Sequence, residues 1–363
     1  MYNLKYYSAF ASNEIFGAKT VKKLYDYFGG DIESAWNAEI SAFYSVEGIT
    51  IAGMQKLLNT RDSINPDVEL EKLESSGFSL LTYEDDKYPE LLKQIPDAPM
   101  WLYYKGNIDL LDMEYKMAVV GSRKCSIAGK STLAKIIGEF QNSNLCIVSG
   151  LALGIDAAAH QAALDNNLPT IAVLGSGLRR PYPLQNKKLF NDIIENGGLV
   201  LSEYPLDAEP ISFHFPMRNR IVSGLSECTL VAEAALKSGA LITARLCLEQ
   251  NRELLCIPGA ISNPATAGVY KLLKEGAGIV TCGQDILNNM GWELSKREVK
   301  TENSGEFTEE EELVLNTLRQ DSLTIDELAL KCGLHVDNLM IILTRLELED
   351  LIIQAEGDRY CAL

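Results

Sequence analysis

The chain has 363 residues, 47% of them hydrophobic and 23% charged, with a formal net charge of −17. That length allows two or three domains with at least one sizeable core, and no stretch approaches the roughly 18–20 apolar residues of a membrane span. Eight scattered cysteines without a C-x-x-C spacing and three histidines carry no zinc pattern, so a reduced, cytoplasmic protein with no metal and no cofactor is expected. The N-terminal stretch MYNLKYYSAFASNEIF lacks a basic segment followed by a continuous apolar run, which argues against a signal peptide.

The charge is unevenly spread. Lys and Arg number 10 against 19 Asp and Glu in residues 1–115, 16 against 14 in 116–292, and 7 against 17 in 293–363. Both flanks are acidic and the middle is slightly basic. Indiscriminate polyanion binding by the whole molecule is therefore excluded, whereas a basic groove in the centre is not.

In chain order, residues 1–75 read as a small helical domain. TVKKLYDYFG places Val21, Leu24 and Phe28 at helical spacing before a Gly29-Gly30 stop, and IAGMQKLLNT predicts another helix. Residues 78–105 read as an extended segment, a turn and a second strand. From Met117 the pattern becomes strand, glycine turn, helix, repeated. The apolar runs MAVVGS, LCIVSG, TIAVLGSG, GLVLSEYP, CTLVAEA and ELLCIPG alternate with helical stretches at 128–141, 155–166, 185–195, 217–224 and 240–250. Continuous apolar strands alternating with helices predict a Rossmann-like, doubly wound, mostly parallel sheet, covered on both faces. This domain spans 76–292, with its core at 116–292. Residues 293–306 are polar and aperiodic, a linker, and 307–363 predict three amphipathic helices and two closing strands, the outline of a winged helix.

Ligands of such sheets sit beyond the carboxyl ends of the strands. Those ends read Gly121-Ser122-Arg123, Ser149-Gly150, Gly175-Ser176-Gly177, Ser202-Glu203 and Glu233, with Ser238-Gly239 opening the next helix. Small residues there let backbone N–H groups approach an anion. Arg123, Arg179, Arg180, Arg218 and Arg220 add cations, the last two flanking Asn219 in the first turn of a helix in HFPMRNRIVSGLS. No Lys-Ser/Thr follows the glycines of GSGLRRPYP, so it is no ATP-binding phosphate loop, and Gly121 opens no G-x-G-x-x-G run. Asp156 and His160 lie four apart on one helix near several serines, but without a G-x-S-x-G elbow a packed histidine is the better reading than a hydrolase triad, and no catalytic residue is assigned. Glu203 and Glu233 are read as groups that orient arginines or loop N–H groups. EEEEL and YEDD are read as solvated charge.

Together AVVGSR, SGLALGIDAAAH, LGSGL…PYPLQN, LSEYP, FPMRNRIVSGLS, EAALKSGALITA and NRELLCIPG, in this order over about 145 residues, resemble the DNA-processing protein A family (DprA, also called Smf). The upstream YPELLKQIPDAPMWLYYKG fits its approach to the first strand. The resemblance implies a single-stranded DNA-binding protein, not an enzyme, that protects incoming DNA in natural transformation, forms a homodimer and helps load a RecA-type recombinase. It implies a DNA-contacting set of Gly121, Ser122, Arg123, Ser149, Gly150, Gly175, Ser176, Gly177, Asn186, Arg218, Asn219, Arg220, Ser238, Gly239 and Thr243. One departure is Val269, which stands near the place of a family asparagine at the expected pocket rim. On this reading phosphates rest on loop N–H groups, arginines grip the backbone and stack on bases, and the acidic flanks confine DNA to the central strip. The rival is a nucleotide-binding enzyme or sensor resembling lysine-decarboxylase-like phosphoribohydrolases, although KSGALITA lacks their PGGxGT turn. The recognition helix of the winged module, 335–349, has Arg345 against Asp337, Glu347 and Glu349, so contact with protein, or folding back on its own chain, is expected of this domain rather than duplex reading.

Overall fold

The computed structural model describes residues 3–43, 46, 51–297, 308–319, 321–348, 351–355 and 359–362; positions 298–306 of the expected linker lie outside them. The chain separates into two compact units, 1–298 and 299–363.

The first unit opens with helices α1 (Leu4–Ala11), α2 (Ala18–Tyr27), α3 (Ile32–Asn37), α4 (Ile40–Phe43), α5 (Ile51–Arg61) and α6 (Pro66–Glu74). In α2, Val21 and Leu24 are buried as their spacing predicts, and Gly29 and Gly30 adopt positive φ just beyond the helix end. Asp31 restarts the chain by accepting hydrogen bonds from the N–H groups of Glu33 and Ser34. Phe10, Phe16 and Trp36 pack edge-on into one cluster with β-sheet residues Trp101 and Tyr103. The helical region thus shares its core with the sheet.

Strands β1 (Ser79–Thr82) and β2 (Trp101–Gly106), with the short α7 (Glu90–Lys93) between them, lead into the repeating part. This runs β3 (Tyr115–Val120), α8 (Ile127–Gly138), β4 (Leu145–Ser149), α9 (Ile155–Asp165), β5 (Thr170–Leu174), α10 (Lys187–Glu195), β6 (Leu199–Ser202) and α11 (His214–Gly224). It continues through β7 (Cys228–Val231), α12 (Ala240–Glu249), β8 (Glu253–Cys256), α13 (Ala267–Lys274), β9 (Gly278–Ile279) and α14 (Gly283–Met290). The nine strands form one sheet in the order β1-β2-β6-β5-β4-β3-β7-β8-β9. Strands from β6 through β9 are parallel, while β1 and β2 extend the edge antiparallel, giving a mixed, mostly parallel sheet.

Alternate residues of the central strands feed opposite faces. Met117 and Val119 pack with α8, α9 and α14, whereas Ala118 and Val120 pack with α11, α12 and α13. After β6 the chain crosses back to the far side of β3, so the connections leaving β3 and β7 depart to opposite faces. That reversal opens a crevice beyond the carboxyl ends of these two strands.

The second unit is a winged helix: α15 (Glu309–Leu318), β10 (Leu323–Thr324), α16 (Ile325–Cys332), α17 (Val336–Leu348), β11 (Ile352–Ala355) and β12 (Arg359–Ala362). Its sheet order is β10-β12-β11, so a two-residue strand joins the two expected from the sequence. Thr308 with Glu311, and Thr324 with Glu327, form capping boxes. Among the described residues, no helix is long and apolar enough to cross a membrane.

Ile147 is fully buried in the middle of β4. Ile147→Ala is expected to lower unfolding free energy by about 2–5 kcal/mol. Denaturant titration checks this, and a loss under about 1 kcal/mol would contradict the packing described.

Candidate nucleic-acid interface

A groove of about 880 Å³ lies at the crevice. Gly121, Ser122 and Arg123 line it from the end of β3, Gly150 from β4, and Arg218 and Asn219 from α11. Ser238, Gly239 and Thr243 complete it from the start of α12. These four elements, distant in sequence, meet here because the strands end and the helices begin at the same edge of one mostly parallel sheet.

Arg218 is the floor of this groove. Only 3% exposed, its guanidinium donates to the carbonyls of Gly150, at 2.7 Å, and Val173. Asp156 stands beside it, also buried. Burial pushes the arginine pKa down to about 10, against the pull of Asp156, so its charge persists at neutral pH. Burial raises the Asp156 pKa, with Arg218 opposing. Gly150 is small for a definite reason: an added Cβ would stand 2.6 Å from Arg218 Nη2 and 2.8 Å from Asp156 Oδ2. The expectation that loop N–H groups are open to phosphate holds less widely than the glycines suggest. The N–H of Ser122 already donates to Glu233 O at 2.7 Å, and that of Gly177 to Ala208 O at 3.0 Å.

Six of the expected residues lie outside the groove lining. Arg220 is 3% exposed and points to the opposite side of α11, where it pairs with Glu203 at 2.6 Å and Asp97 at 3.3 Å. Residues two apart on a helix are turned by roughly 200°, so the two arginines cannot share a face. Ser149 donates to Val119 O at 2.6 Å, Ser176 to Arg180 O at 2.8 Å, and Asn186 to Leu151 O at 2.9 Å. These bonds hold the loops in shape. Gly175 leaves room for Phe215, whose Cδ1 would lie 2.8 Å from an added Cβ, and Gly177 abuts the carbonyls of Pro205 and Leu206. Arg179 pairs with Asp207 at 2.8 Å, and Arg180 with Glu209. Val269 is fully buried in the core under α13, so it is no rim residue, and Pro264 and Ala265 line the groove there.

Four lining residues were not singled out by sequence reasoning. The guanidinium of Arg123 lies 5.3 Å from the centre of the Phe215 ring, and Tyr182 stands 5.6 Å from that ring on a tilted plane. Lys124 and Lys237 are exposed on the same groove. Among the described residues, Arg123, Lys124 and Lys237 take part in no ion pair. Three unneutralised cations beside an aromatic pair can hold phosphates and stack bases together. Phe215 and Tyr182 sat within the segments already quoted, FPMRNR and PYP; aromatic residues beside the arginines were the available signal.

The imagined triad does not assemble. His160 is fully buried, with Nδ1 2.7 Å from Thr170 Oγ1. Because the Thr170 hydroxyl donates to Ile147 O at 2.8 Å, Nδ1–H is the donor to it. Burial pushes the His160 pKa down to about 3, with Arg218 adding repulsion. Glu203 orients Arg220, and Glu233 accepts from Ser126 N at 3.0 Å and Ser126 Oγ at 2.6 Å, capping the entry to α8.

An open doubly wound sheet with a cationic, aromatic groove at its switch point, preceded by helices and followed by a winged helix, defines a class of DNA-handling protein. Residues 79–291 match the DNA recombination-mediator protein A family, and 299–358 match the DprA winged helix domain. The chain belongs to the DNA recombination-mediator protein A family. It is 51% identical over 219 residues to DNA processing protein DprA of Streptococcus pneumoniae, covering 60% of this chain and 75% of that protein. It is 37% identical over 317 residues to protein Smf of Escherichia coli, covering 85% and 84%. Among solved structures, the X-ray structure of DNA processing protein A from Streptococcus pneumoniae aligns with a TM-score of 0.68 at 39% identity, over 78% of this chain and 97% of that one. DNA processing protein A from Helicobacter pylori, whose structure concerns a unique single-stranded DNA binding mode, aligns at 0.53 and 33% identity, over 59% and 95%.

Two outcomes follow from the packing around Arg218. Gly150→Ala must displace Arg218 or Asp156 and is expected to cost about 1–3 kcal/mol of stability in denaturant titration; a neutral effect would contradict the contact. His160 stays neutral in the fold down to about pH 3, whereas the unfolded chain takes up its proton near 6.5. Between those values the unfolded state binds the extra proton, so stability falls as pH falls through the window. The loss is about 1.4 kcal/mol per pH unit, or about 2 kcal/mol by pH 5. His160→Gln is expected to lose correspondingly less between pH 7 and pH 5, and an equal loss would contradict the assignment.

Proposed function

We propose that this protein binds single-stranded DNA along the groove at the β3/β7 crevice, as a homodimer in the cytoplasm, and hands the strand to a RecA-type recombinase during natural transformation. The observation that carries the DNA reading is the Arg123–Phe215–Tyr182 arrangement, flanked by Lys124 and Lys237. A planar cation already resting on an aromatic ring is suited to a chain of alternating phosphates and flat bases. The family relationship supports the same reading, since the Helicobacter pylori relative is described by its single-stranded DNA binding. Eight unpaired thiols fit a reducing compartment. The partners and the dimer rest on family membership. We assign no catalytic role, because His160 is committed to Thr170.

Within its own unit, the winged helix is a poor duplex reader. On α17, Val336, Met340 and Ile341 are exposed, while Arg345 is bonded to Glu311 at 2.7 Å. Lys331 and Arg359 are likewise paired with acidic groups. We assign this surface to protein contact.

Arg123→Ala and Lys237→Ala are each expected to weaken binding to oligonucleotides of any sequence. Each should reduce the slope of log affinity against log salt by about 0.7, one counterion-releasing contact on a single strand. Unchanged slopes would remove both residues from the interface. In thermal-shift measurements, stabilisation by oligo-dT supports the proposal, and stabilisation by mononucleotides alone would favour a nucleotide-binding enzyme or sensor.

A further inference from the structure

A second cavity, of about 410 Å³, lies between the N-terminal helices and the sheet. Its walls are Phe16 and Ala18 from the helical region, Trp101 from β2 and Met217 from α11. Tyr204 and His214 stack on one another at 3.8 Å in the same wall. We infer that this cavity is a subsite for one nucleobase of the strand held in the groove; the inference rests on the single-stranded DNA reading of that groove.

Continuity is the first argument. The start of α11 and the turn before it form a ridge with the groove on one side and the cavity on the other. Ser212, Phe215 and Pro216 face the groove, and Phe213 and Met217 face the cavity. Phe213 is 68% exposed on this ridge, so its flat ring is open to a base. A strand lying on Phe215 needs only to pass this ridge to reach the cavity.

The second argument is which part of a nucleotide the cavity accepts. Its cations are already matched: Arg220 by Glu203 and Asp97, and Lys19 by Asp97 at 3.4 Å. Glu14 and Glu203 add negative charge at the wall, so a phosphate is disfavoured there. A base is accommodated by both surface and edge. Asn13 accepts from Ile15 N at 3.0 Å through Oδ1, and among the described residues its amide NH₂ has no partner. Glu203 bonds Arg220 through Oε1, leaving Oε2 without a hydrogen bond among the described residues. One open donor and one open acceptor beside aromatic walls match the edge of a nucleobase, which carries both. The groove holds phosphates and stacks bases, and the cavity takes one further base.

Gly17 provides the test. It sits on the cavity wall at φ −56°, and an added Cβ would meet nothing within 4 Å, so a large side chain is accepted at the wall without backbone strain. Full-length Gly17→Trp and Phe213→Ala would be titrated with oligo-dT carrying a single 2-aminopurine at successive positions. For each variant we expect about tenfold weaker binding with an unchanged salt slope, because a base contact is lost and no phosphate contact is. In the wild-type protein a limited set of positions changes fluorescence on binding, and Gly17→Trp abolishes that change. Phe213→Ala, at an exposed position, stands in should Gly17→Trp misfold. If wild type binds single strands, Arg123→Ala lowers the slope, and both cavity variants behave as wild type, the cavity assignment falls alone. If the wild-type protein binds no single strand, the groove reading falls and this inference with it.

Discussion

The buried guanidinium of Arg218 is the constraint on which the edge of the sheet depends. A charge in that position is costly unless it is compensated, and here the carbonyls of Gly150 and Val173 accept from Nη1, Asn219 Oδ1 accepts from Nε at 3.3 Å, and the nearby Asp156 carboxylate offsets the charge. The partners outside α11 lie at the ends of β4 and β5 and on α9, so one side chain of α11 sets the spacing of three neighbouring elements. Phe215 follows from the same anchor. It lies three residues before Arg218 on the groove side of α11, so fixing the arginine fixes the ring on which Arg123 rests.

The opposite side of α11 is anchored as firmly and by different chemistry. Arg220 bridges Glu203 and Asp97, and Asp97 also receives Lys19 from the N-terminal helical region. The helix is therefore clamped between two ionic networks, one under the groove and one beside the second cavity. That clamp makes the helical region part of the architecture of the site.

Much of this was legible from residue patterns. Continuous apolar runs ending in small residues specified the parallel sheet, and the carboxyl ends of its strands marked the edge along which the groove lies. The roles of individual residues were less legible. Glycines at strand ends serve two purposes that look alike in sequence: letting a ligand approach, and letting a neighbour pack. Gly150 and Gly175 serve the second, making room for Arg218 and Phe215. Ser149 and Asn186 face backbone carbonyls that only the folded loops bring near. Arg218 and Arg220 were read as one basic turn, although helical periodicity alone sends them to opposite faces. Lys237 and Tyr182 lay inside quoted segments, KSGALITA and PYPLQN, but their place on the groove emerged only when distant loops met.

The central claim is that a groove built from backbone-gripping cations and stacking rings selects unpaired strands. The most direct measurement is affinity of the full-length protein for a single strand and for a duplex of equal length, each titrated across salt. The account predicts that the single strand binds tighter at every salt concentration and retains affinity at high salt, where stacking remains after phosphate attraction is screened. Equal affinity for duplex and single strand, with both lost together as salt rises, would contradict it.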